Sequence, residues 1–274
     1  MFLVKSMPFK LNANAVFTIL ILSLFVIPAK AQFLLDGFPA EKNKTTLALS
    51  TGYSGFGQYY AAPGKVGIGR KTAIVGLYGA YHLNDYIKFA ASVPYLNVLG
   101  RDNQGLQDAF VQLQIMPYAK NGFQFYVLSG YGIPLSDYGT ESAYSIGQQA
   151  EILSFGGGLQ YTDKNYFSSF SYQFQNKSAP TPIAHQSQVR LGYFQGPYFF
   201  AFNYDFQSSD GGSDYRDGTS RPFTTLGTGY HKLGLTAYKR LSDQWGVSAN
   251  LSQVVAGRNV GQATDFFVGI IWNN

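Results

Sequence analysis

The feature that most limits what this chain can fold into is a segment pattern that repeats from Lys44 to the C-terminus. Segments of roughly ten residues carry apolar side chains at alternate positions, as strands of transmembrane barrels do, and turn-forming clusters separate them. Alternation with a period of two predicts β-strands with one apolar face. We identify twelve segments, near residues 44–53, 70–83, 86–97, 106–119, 122–134, 149–162, 165–176, 184–195, 197–207, 223–240, 244–256 and 262–272.

The connections between these segments alternate in length. SGFGQYYAAPGKVGIG, NVLGRDNQG and PLSDYGTESAYSIGQ are long, whereas the intervening LND, AKNG and TDKN are short. An up-and-down barrel has tight turns at one end and extended loops at the other, whereas a Greek-key sandwich has no reason to keep this rhythm. The sequence therefore predicts an all-β fold: a transmembrane up-and-down antiparallel β-barrel of about 12 strands, with both chain ends on the short-turn side, which is periplasmic.

The composition agrees with a barrel that has an apolar outer wall. Only 13% of the residues are charged, whereas 17% are aromatic. Aromatic residues close to the strand ends are expected to form two girdles at the membrane interfaces. The girdle candidates are Tyr81, Tyr86, Tyr95, Tyr118, Phe123, Tyr161, Tyr166, Tyr193, Tyr198, Tyr238 and Trp245.

The first thirty-one residues have the form of a secretory signal peptide. Lys5 and Lys10 precede the apolar run AVFTILILSLFVIPA, and the A-x-A triplet 29–31 follows it. We predict a signal peptide at 1–31 and a barrel domain at 32–274, exported by the general secretory route to a bacterial outer membrane; an uncleaved anchor helix is the alternative. Removing the peptide lowers the formal net charge of +5 by three lysines, which leaves no electrostatic support for a nucleic-acid partner.

The end of the chain predicts partners of the barrel. In the last segment Phe266, Val268, Ile270 and Trp272 share one face. This aromatic-ended strand resembles the signal that the outer-membrane assembly machinery recognises, although Asn273 and Asn274 follow it. The outer wall is expected to contact membrane lipids and lipopolysaccharide.

Strand parity assigns residues of the fourth segment to the lumen. Because Ala109, Val111, Leu113 and Ile115 must face lipid, the polar residues between them face inward: Asp108, Gln112 and Gln114. Asp108 could contact a permeating solute or tie down the loop 97–105, and the structural role is favoured. Phe110, Tyr126 and Phe194 are also expected to point inward and to narrow the bore.

The pair His185-x-Ser187 raises the question of a hydrolytic site. It resembles the His-x-Ser-Asn segment of two barrel enzymes, an outer-membrane phospholipase and a lipid A deacylase, but Gln188 replaces the asparagine. Parity places both residues on the outer wall, with Ser187 expected opposite Tyr204 and His185 opposite Phe206. No acid is expected beside His185, because parity turns Asp205 inward. The inward polar set on these two strands is Gln186, Gln188, Arg190, Asn203 and Asp205.

The sequence predicts neither a metal site nor a cofactor. There are three histidines and no cysteines, and no residue spacing matches a known metal or phosphate-binding motif. Asp210, Asp214 and Asp217 lie in one outward loop that could hold Ca²⁺ weakly, but the spacing is not that of an EF-hand and a solvated loop is favoured. We therefore predict no catalytic residues and no enzyme.

Two short stretches resemble one family of outer-membrane barrels, those grouped with the meta-pathway of phenol degradation. They are Val93-Pro94-Tyr95, at a strand end, and Gly105-Leu106-Gln107-Asp108, at the start of the next strand, where Gln107 replaces a glycine of the family pattern. The resemblance implies a signal-bearing barrel for uptake of small, often hydrophobic solutes. A lipid hydrolase using His185 and Ser187, and a structural or adhesive barrel acting through its outward loops, remain the alternatives.

Overall fold

The computed structural model describes residues 43–62, 64–215 and 222–274, so the predicted signal peptide lies outside the described residues. Sixteen strands are present in this part of the chain. They are β1 (Thr45–Phe56), β2 (Tyr59–Ala61), β3 (Gly64–Val66), β4 (Arg70–His82), β5 (Ile87–Val98), β6 (Gln104–Leu106), β7 (Asp108–Lys120), β8 (Phe123–Pro134), β9 (Ile152–Thr162), β10 (Tyr166–Lys177), β11 (Ala184–Gln195), β12 (Tyr198–Ser209), β13 (Gly229–Arg240), β14 (Trp245–Arg258), β15 (Val260–Gly261) and β16 (Thr264–Asn273). A 3-10 turn covers Phe223–Thr225.

Twelve long antiparallel strands close into a barrel. Each of these strands pairs with its neighbours along the chain, and β1 pairs with both β4 and β16, which closes the ring. The short strands β2, β3 and β15 form a separate small sheet, and β6 extends the edge of β5. Closure leaves no long strand without a partner on either side, which removes the exposed edges of an open sheet. The predicted all-β, twelve-stranded transmembrane barrel is confirmed.

Long and short connections lie at opposite ends, which we call the loop end and the turn end. The loop end carries residues 57–69, 99–107, 135–151, 178–183, 210–228 and 259–263. The turn end carries 83–86, 121–122, 163–165, 196–197 and 241–244 together with both described chain ends. No helix in the described ranges is long and apolar enough to cross a membrane.

Alternation of side chains gives the barrel an apolar outer wall. Leu235 at the centre of β13 is 60% exposed, and Phe266, Val268 and Ile270 on β16 are exposed in the same way. Around the turn end, exposed aromatic side chains such as Tyr86 form a girdle. The girdle prediction is wrong for Tyr238, which shares the inward face of β13 with buried Thr236 and packs against the barrel interior.

The wall is interrupted where the two family-like stretches meet. β5 pairs with β6 from Tyr95 and with β7 from Ser92, and the register shifts by one residue between the two ladders. Pro94 lies at the shift; it has no N–H to donate, so a regular ladder cannot continue through it. The Gln107 N–H instead donates to the Pro94 carbonyl at 2.5 Å. The single segment expected at 106–119 is therefore divided at Gln107.

Candidate functional site: the barrel lumen

The interior of the barrel has three layers along its axis. Inward-folded loops cover the loop end, a polar chamber lies below them, and clusters of apolar and aromatic side chains line the part towards the turn end. On several strands the inward positions change from polar near the loop end to apolar near the turn end. On β11, Gln186 and Gln188 line the chamber, whereas Phe194 near the turn end packs in the apolar layer.

The chamber has a volume of about 420 Å³ and is lined by residues of all twelve long strands and of five of the six loops at the loop end. This volume lies in the range of roughly 300–1,000 Å³ that is usual for small-molecule sites. Amide side chains dominate the polar lining. They are Gln107, Gln112, Gln148, Gln173, Gln175, Gln186, Gln188, Asn203, Gln207, Asn250 and Asn259.

The loop 135–151, which we call the cover loop, folds into the lumen. Tyr138 and Ile146 are buried and pack on inward side chains of the barrel wall, including Ile74 and Phe267. A loop that buries aromatic and aliphatic side chains in this way is held in place by the hydrophobic effect as well as by polar contacts.

Polar contacts from the wall hold the cover loop. The Tyr138 hydroxyl donates to the Asp108 carboxylate and accepts from the Gln149 N–H at 2.9 Å. Burial first, and the Asp108 charge second, raise the pKa of Tyr138, so the hydroxyl keeps the proton that it donates. Arg70 Nη1 donates to the Ser145 carbonyl at 2.7 Å, and Gln107 Nε2 donates to the Ile146 carbonyl at 2.5 Å.

The described parts of the loop 210–228, which are residues 210–215 and 222–228, complete the cover. Gln148 of the cover loop donates from Nε2 to the carbonyls of Phe223 and Leu226 at 3.3 and 3.2 Å, and its Oε1 accepts from Lys177 Nζ at 2.9 Å. Arg258 Nε donates to Asp214 at 2.6 Å, which ties the start of this loop to the end of β14. The two loops therefore form one connected lid.

A ladder of polar side chains crosses the chamber wall from β11 to β16. Gln188 Nε2 donates to Asp205 Oδ1 at 2.5 Å, and Asp205 is the register partner of Lys232 on β13. Lys232 Nζ lies 3.8 Å from Asp265 Oδ2, which also accepts from the Ser252 hydroxyl at 3.3 Å. Each carboxylate of the ladder thus has a donor or a cation on a neighbouring strand, which compensates for its partial burial.

The apolar layer consists of aromatic side chains that lie against the wall. Phe199 packs with Phe194 and Phe167 at ring-centroid distances of 4.7 and 6.0 Å. Tyr238 contacts both this cluster and a second one that contains Tyr78, so the two clusters join across the lumen. Tyr126 lies with Leu128 in a third cluster. This layer narrows the bore between the chamber and the turn end.

Six of the seven lumen residues selected from the sequence line the chamber: Asp108, Gln112, Gln188, Arg190, Asn203 and Asp205. Gln114 faces the same side of β7 but lies closer to the turn end and does not line the chamber. Arg190 is paired in register with Asn203 rather than with Asp205, whose register partner on β11 is Gln188. Asp108 holds the cover loop, not the loop 97–105 that the sequence suggested.

The surroundings of His185 differ from the prediction in two respects. Ser187 lies opposite Phe206 and His185 opposite Ser208, a shift of two residues, because Gly196 and Pro197 alone form the turn. The expected absence of an acid is also wrong. Asp210, from the loop that follows β12, places Oδ2 3.0 Å from His185 Nε2.

This contact does not assemble a hydrolytic triad. The other ring nitrogen of His185, Nδ1, lies 2.7 Å from the Tyr172 hydroxyl, so both nitrogens already have partners. A serine nucleophile needs one of the two nitrogens as its base. Asp205 lines the chamber on the other side of the wall, as parity predicted.

Several residues that hold or line the chamber were missed by the sequence analysis. Arg70, Lys177 and Lys232 lie at inward positions close to the loop end of their strands. Their alternation with the exposed apolar residues of the same strands indicates an inward direction. The signal was not used because these residues lie close to strand ends, where the sequence does not show how far the alternation extends. Tyr138 had no such signal, because strand alternation cannot place a side chain within a loop.

No group of three or more His, Asp or Glu side chains in the described part of the chain is arranged to hold a metal ion. Within the acidic loop, Asp210 contacts His185 and Asp214 contacts Arg258. Asp217 lies outside the described residues. The described loop carboxylates thus serve as structural partners of basic side chains.

Comparison with known proteins identifies the fold. No protein-family model matches the chain, and no curated protein is significantly similar in sequence. Among solved structures, an outer membrane channel from Pseudomonas putida F1 superposes with a TM-score of 0.70 at 12% identity, over 88% of this chain and 98% of that one. The NanC porin gives 0.57 at 8% identity, over 82% and 98%. The translocator domain of autotransporter NalP from Neisseria meningitidis gives 0.50 at 9% identity, over 95% and 97%. At these identities the similarity shows a shared barrel fold.

Proposed function

We propose that this chain is a bacterial outer-membrane barrel that binds small solutes in its lumen and passes them across the membrane without covalent chemistry. The observation that carries the proposal is the polar chamber of about 420 Å³ inside a barrel whose outer wall is apolar. A barrel that served only as a membrane scaffold would have no need to keep such a chamber between two packed layers.

The comparisons and the sequence support this proposal. Two of the structures that share the fold are an outer membrane channel and a porin by name. The leader-like residues 1–31 support export by the general secretory route, and the apolar wall supports contact with lipids and lipopolysaccharide. The exposed face of β16 supports recognition by the outer-membrane assembly machinery.

We also propose that the resemblance to barrels of the meta-pathway of phenol degradation is meaningful at the structural level. The two stretches that carry it meet in space, since Tyr95 pairs with Leu106 and Gln107 donates to Pro94. Gln107 and Asp108 both bind the cover loop. In this proposal the stretches mark the point of the wall where the cover loop is attached.

Conductance in planar bilayers tests the function. We expect the wild-type barrel to show low conductance, and Tyr138→Phe to increase the time spent in conducting states, because the variant loses the bond to Asp108 and an acceptor for Gln149. Tyr95→Phe is the matched control: the Tyr95 hydroxyl donates to Gln104 Oε1 at 3.0 Å on the outer face of β5, away from the cover loop.

Two results would contradict the proposal. A barrel that stays silent under all solutes tested, in wild-type and Tyr138→Phe forms alike, would not be a channel. An equal effect of Tyr138→Phe and Tyr95→Phe would show that the Asp108 contact does not hold the cover loop closed.

A further inference from the structure

Four amide groups of the chamber wall are oriented in a common way. Asn203 and Asn250 both donate from Nδ2 to the Thr236 hydroxyl, at 2.8 and 3.0 Å, and Gln207 donates from Nε2 to the Thr228 hydroxyl at 3.1 Å. Gln188 donates to Asp205. The nitrogens of these four amides are thus bound within the wall, and their oxygens accept no hydrogen bond from the described residues, so they can accept one from a molecule in the chamber.

One amide in the wall has no partner in the described structure. Gln173 is only 8% exposed and lines the chamber, and its side chain makes no hydrogen bond to any described residue. Because Gln173 lines the chamber, its amide donor and acceptor are available to a molecule that occupies the chamber. Gln112 on β7, three strands away from β10 in the barrel wall, likewise makes no side-chain hydrogen bond to the described residues and lines the same chamber.

Four basic and three acidic side chains line the chamber, and most of them have hydrogen-bond or ion-pair partners in the protein. Arg70 binds carbonyls of the cover loop, Lys177 binds Gln148, and Lys232 faces Asp265. An ionic solute would have to compete with these partners and lose its own hydration. The chamber therefore favours hydrogen bonding without net charge.

The wall also contains apolar surface beside the amides. The rings of Phe110 and Phe267 line the chamber together with Gln112 and Gln173. Flat apolar surface beside convergent acceptors suits a ring that carries C–H groups on its faces and hydroxyls on its rim.

We infer that the chamber is a binding site for an uncharged, hydroxyl-rich small molecule with the chemistry of a neutral sugar. The inference rests on the proposed function and narrows its solute class. This solute class differs from the hydrophobic solutes that the family resemblance implies. A hydrocarbon in the chamber would remove water from the polar side chains without offering them hydrogen bonds in return.

Four small probes separate the solute classes: glucose, glucuronate, glucosamine and phenol. The first three probes share a pyranose ring and differ in charge: glucose is neutral, glucuronate is negative and glucosamine is positive. Phenol has one hydroxyl on an apolar ring. We expect calorimetry with the purified barrel to show tightest binding for glucose, and proteoliposomes to take up labelled glucose faster than the other three.

Substitution of the unpartnered amide tests the site itself. Gln173→Leu should weaken glucose binding by roughly three- to tenfold, the effect of one lost hydrogen bond, while phenol binding stays constant or rises. Gln112→Leu should act in the same direction. Gln253→Leu is the matched control, because Gln253 is exposed on the outer face of β14. Retention of the folded band on unheated gels confirms that each variant is a closed barrel.

The outcomes distinguish the two proposals. Uptake that prefers glucuronate, glucosamine or phenol, or glucose binding that is the same in Gln173→Leu and Gln112→Leu as in wild type, would overturn the neutral-sugar site and leave the solute channel standing. Proteoliposomes impermeable to all four probes, with silent bilayers, would overturn the channel proposal itself.

Discussion

At the scale of single residues, two histidines on the outer wall have the same surroundings. His185 Nδ1 lies 2.7 Å from the Tyr172 hydroxyl, and His231 Nδ1 lies 2.7 Å from the Tyr204 hydroxyl. In each case a phenylalanine two residues beyond the tyrosine also packs on the imidazole. Tyrosine–histidine pairs near the loop end suit an aromatic girdle at the membrane interface, because their ring faces are apolar and their hydroxyl and imidazole nitrogen atoms are polar. The repetition argues for a structural role of His185.

This interpretation predicts that Ser187 has no catalytic role. We expect the purified barrel to release no fatty acid from phospholipid or lipopolysaccharide above the level of Ser187→Ala, because His185 has no nitrogen left to act as base. Release of free fatty acid by both proteins should be followed over the same time course. Activity present in wild type and abolished in Ser187→Ala would restore the hydrolase hypothesis.

Residue positions were predictable from the sequence where a strand carries them. Parity placed His185 outside and Asp205 inside, and a register error of two residues did not affect this, because faces depend only on odd or even shifts. The contact between Asp210 and His185 was not predictable. Asp210 lies beyond the last residue of β12, where alternation no longer determines the direction of a side chain.

At the scale of strands, aromatic side chains inside the barrel lie over glycines of the neighbouring strand. A Cβ added to Gly192 would lie 2.5 Å from the Phe199 ring, and one added to Gly158 would lie 2.5 Å from the Tyr126 ring. Gly52 stands in the same relation to Phe267. Glycine lets each ring lie flat on the wall, which explains how a narrow barrel holds many aromatics and still encloses a chamber.

Gly192→Ala should therefore destabilise the barrel by about 1–3 kcal/mol, since the methyl group pushes the Phe199 ring out of its position. The temperature at which the folded band disappears on gels measures the loss. Gly139→Ala is the control, because no atom lies within 4 Å of a Cβ added there. The double variant Gly192→Ala, Phe199→Leu should lose less than the sum of the single losses; strict additivity would rule out the ring contact as the cause.

All twelve strand segments were predictable from alternation and turn signals, but the irregularities within them were not. The break at Gln107 depends on Pro94 of the preceding strand, and the register shift between β7 and β8 lies at residues 115–118. Such shifts depend on which residue of one strand faces which residue of the next. A single sequence does not contain that pairing.

At the scale of the whole molecule, the apolar wall determines where the barrel can reside. Leu235 lies at the centre of a membrane-spanning strand, whereas Leu241 lies in the turn that follows β13. Both side chains are similarly exposed, at 60% and 56%. Depth in the bilayer is therefore the main difference between them.

Arginine substitution at these two positions tests the membrane position of the barrel. We expect Leu235→Arg to destabilise the folded barrel in bilayers by about 2–4 kcal/mol and Leu241→Arg to destabilise it by about 0–1 kcal/mol, because a charge is costly only in the hydrocarbon region. Equilibrium folding into phospholipid vesicles gives both values. Equal costs at the two positions would contradict a bilayer centred on the middle of β13.

The layered interior also affects how flux would depend on concentration. A lid of two connected loops lies on one side of the chamber, and a layer of aromatic rings narrows the other. A solute in transit must occupy the chamber while first one barrier and then the other moves. Flux through such a barrel would saturate with solute concentration, at a maximum set by how fast the chamber fills and empties. Two solutes would inhibit each other competitively, because they share one binding chamber.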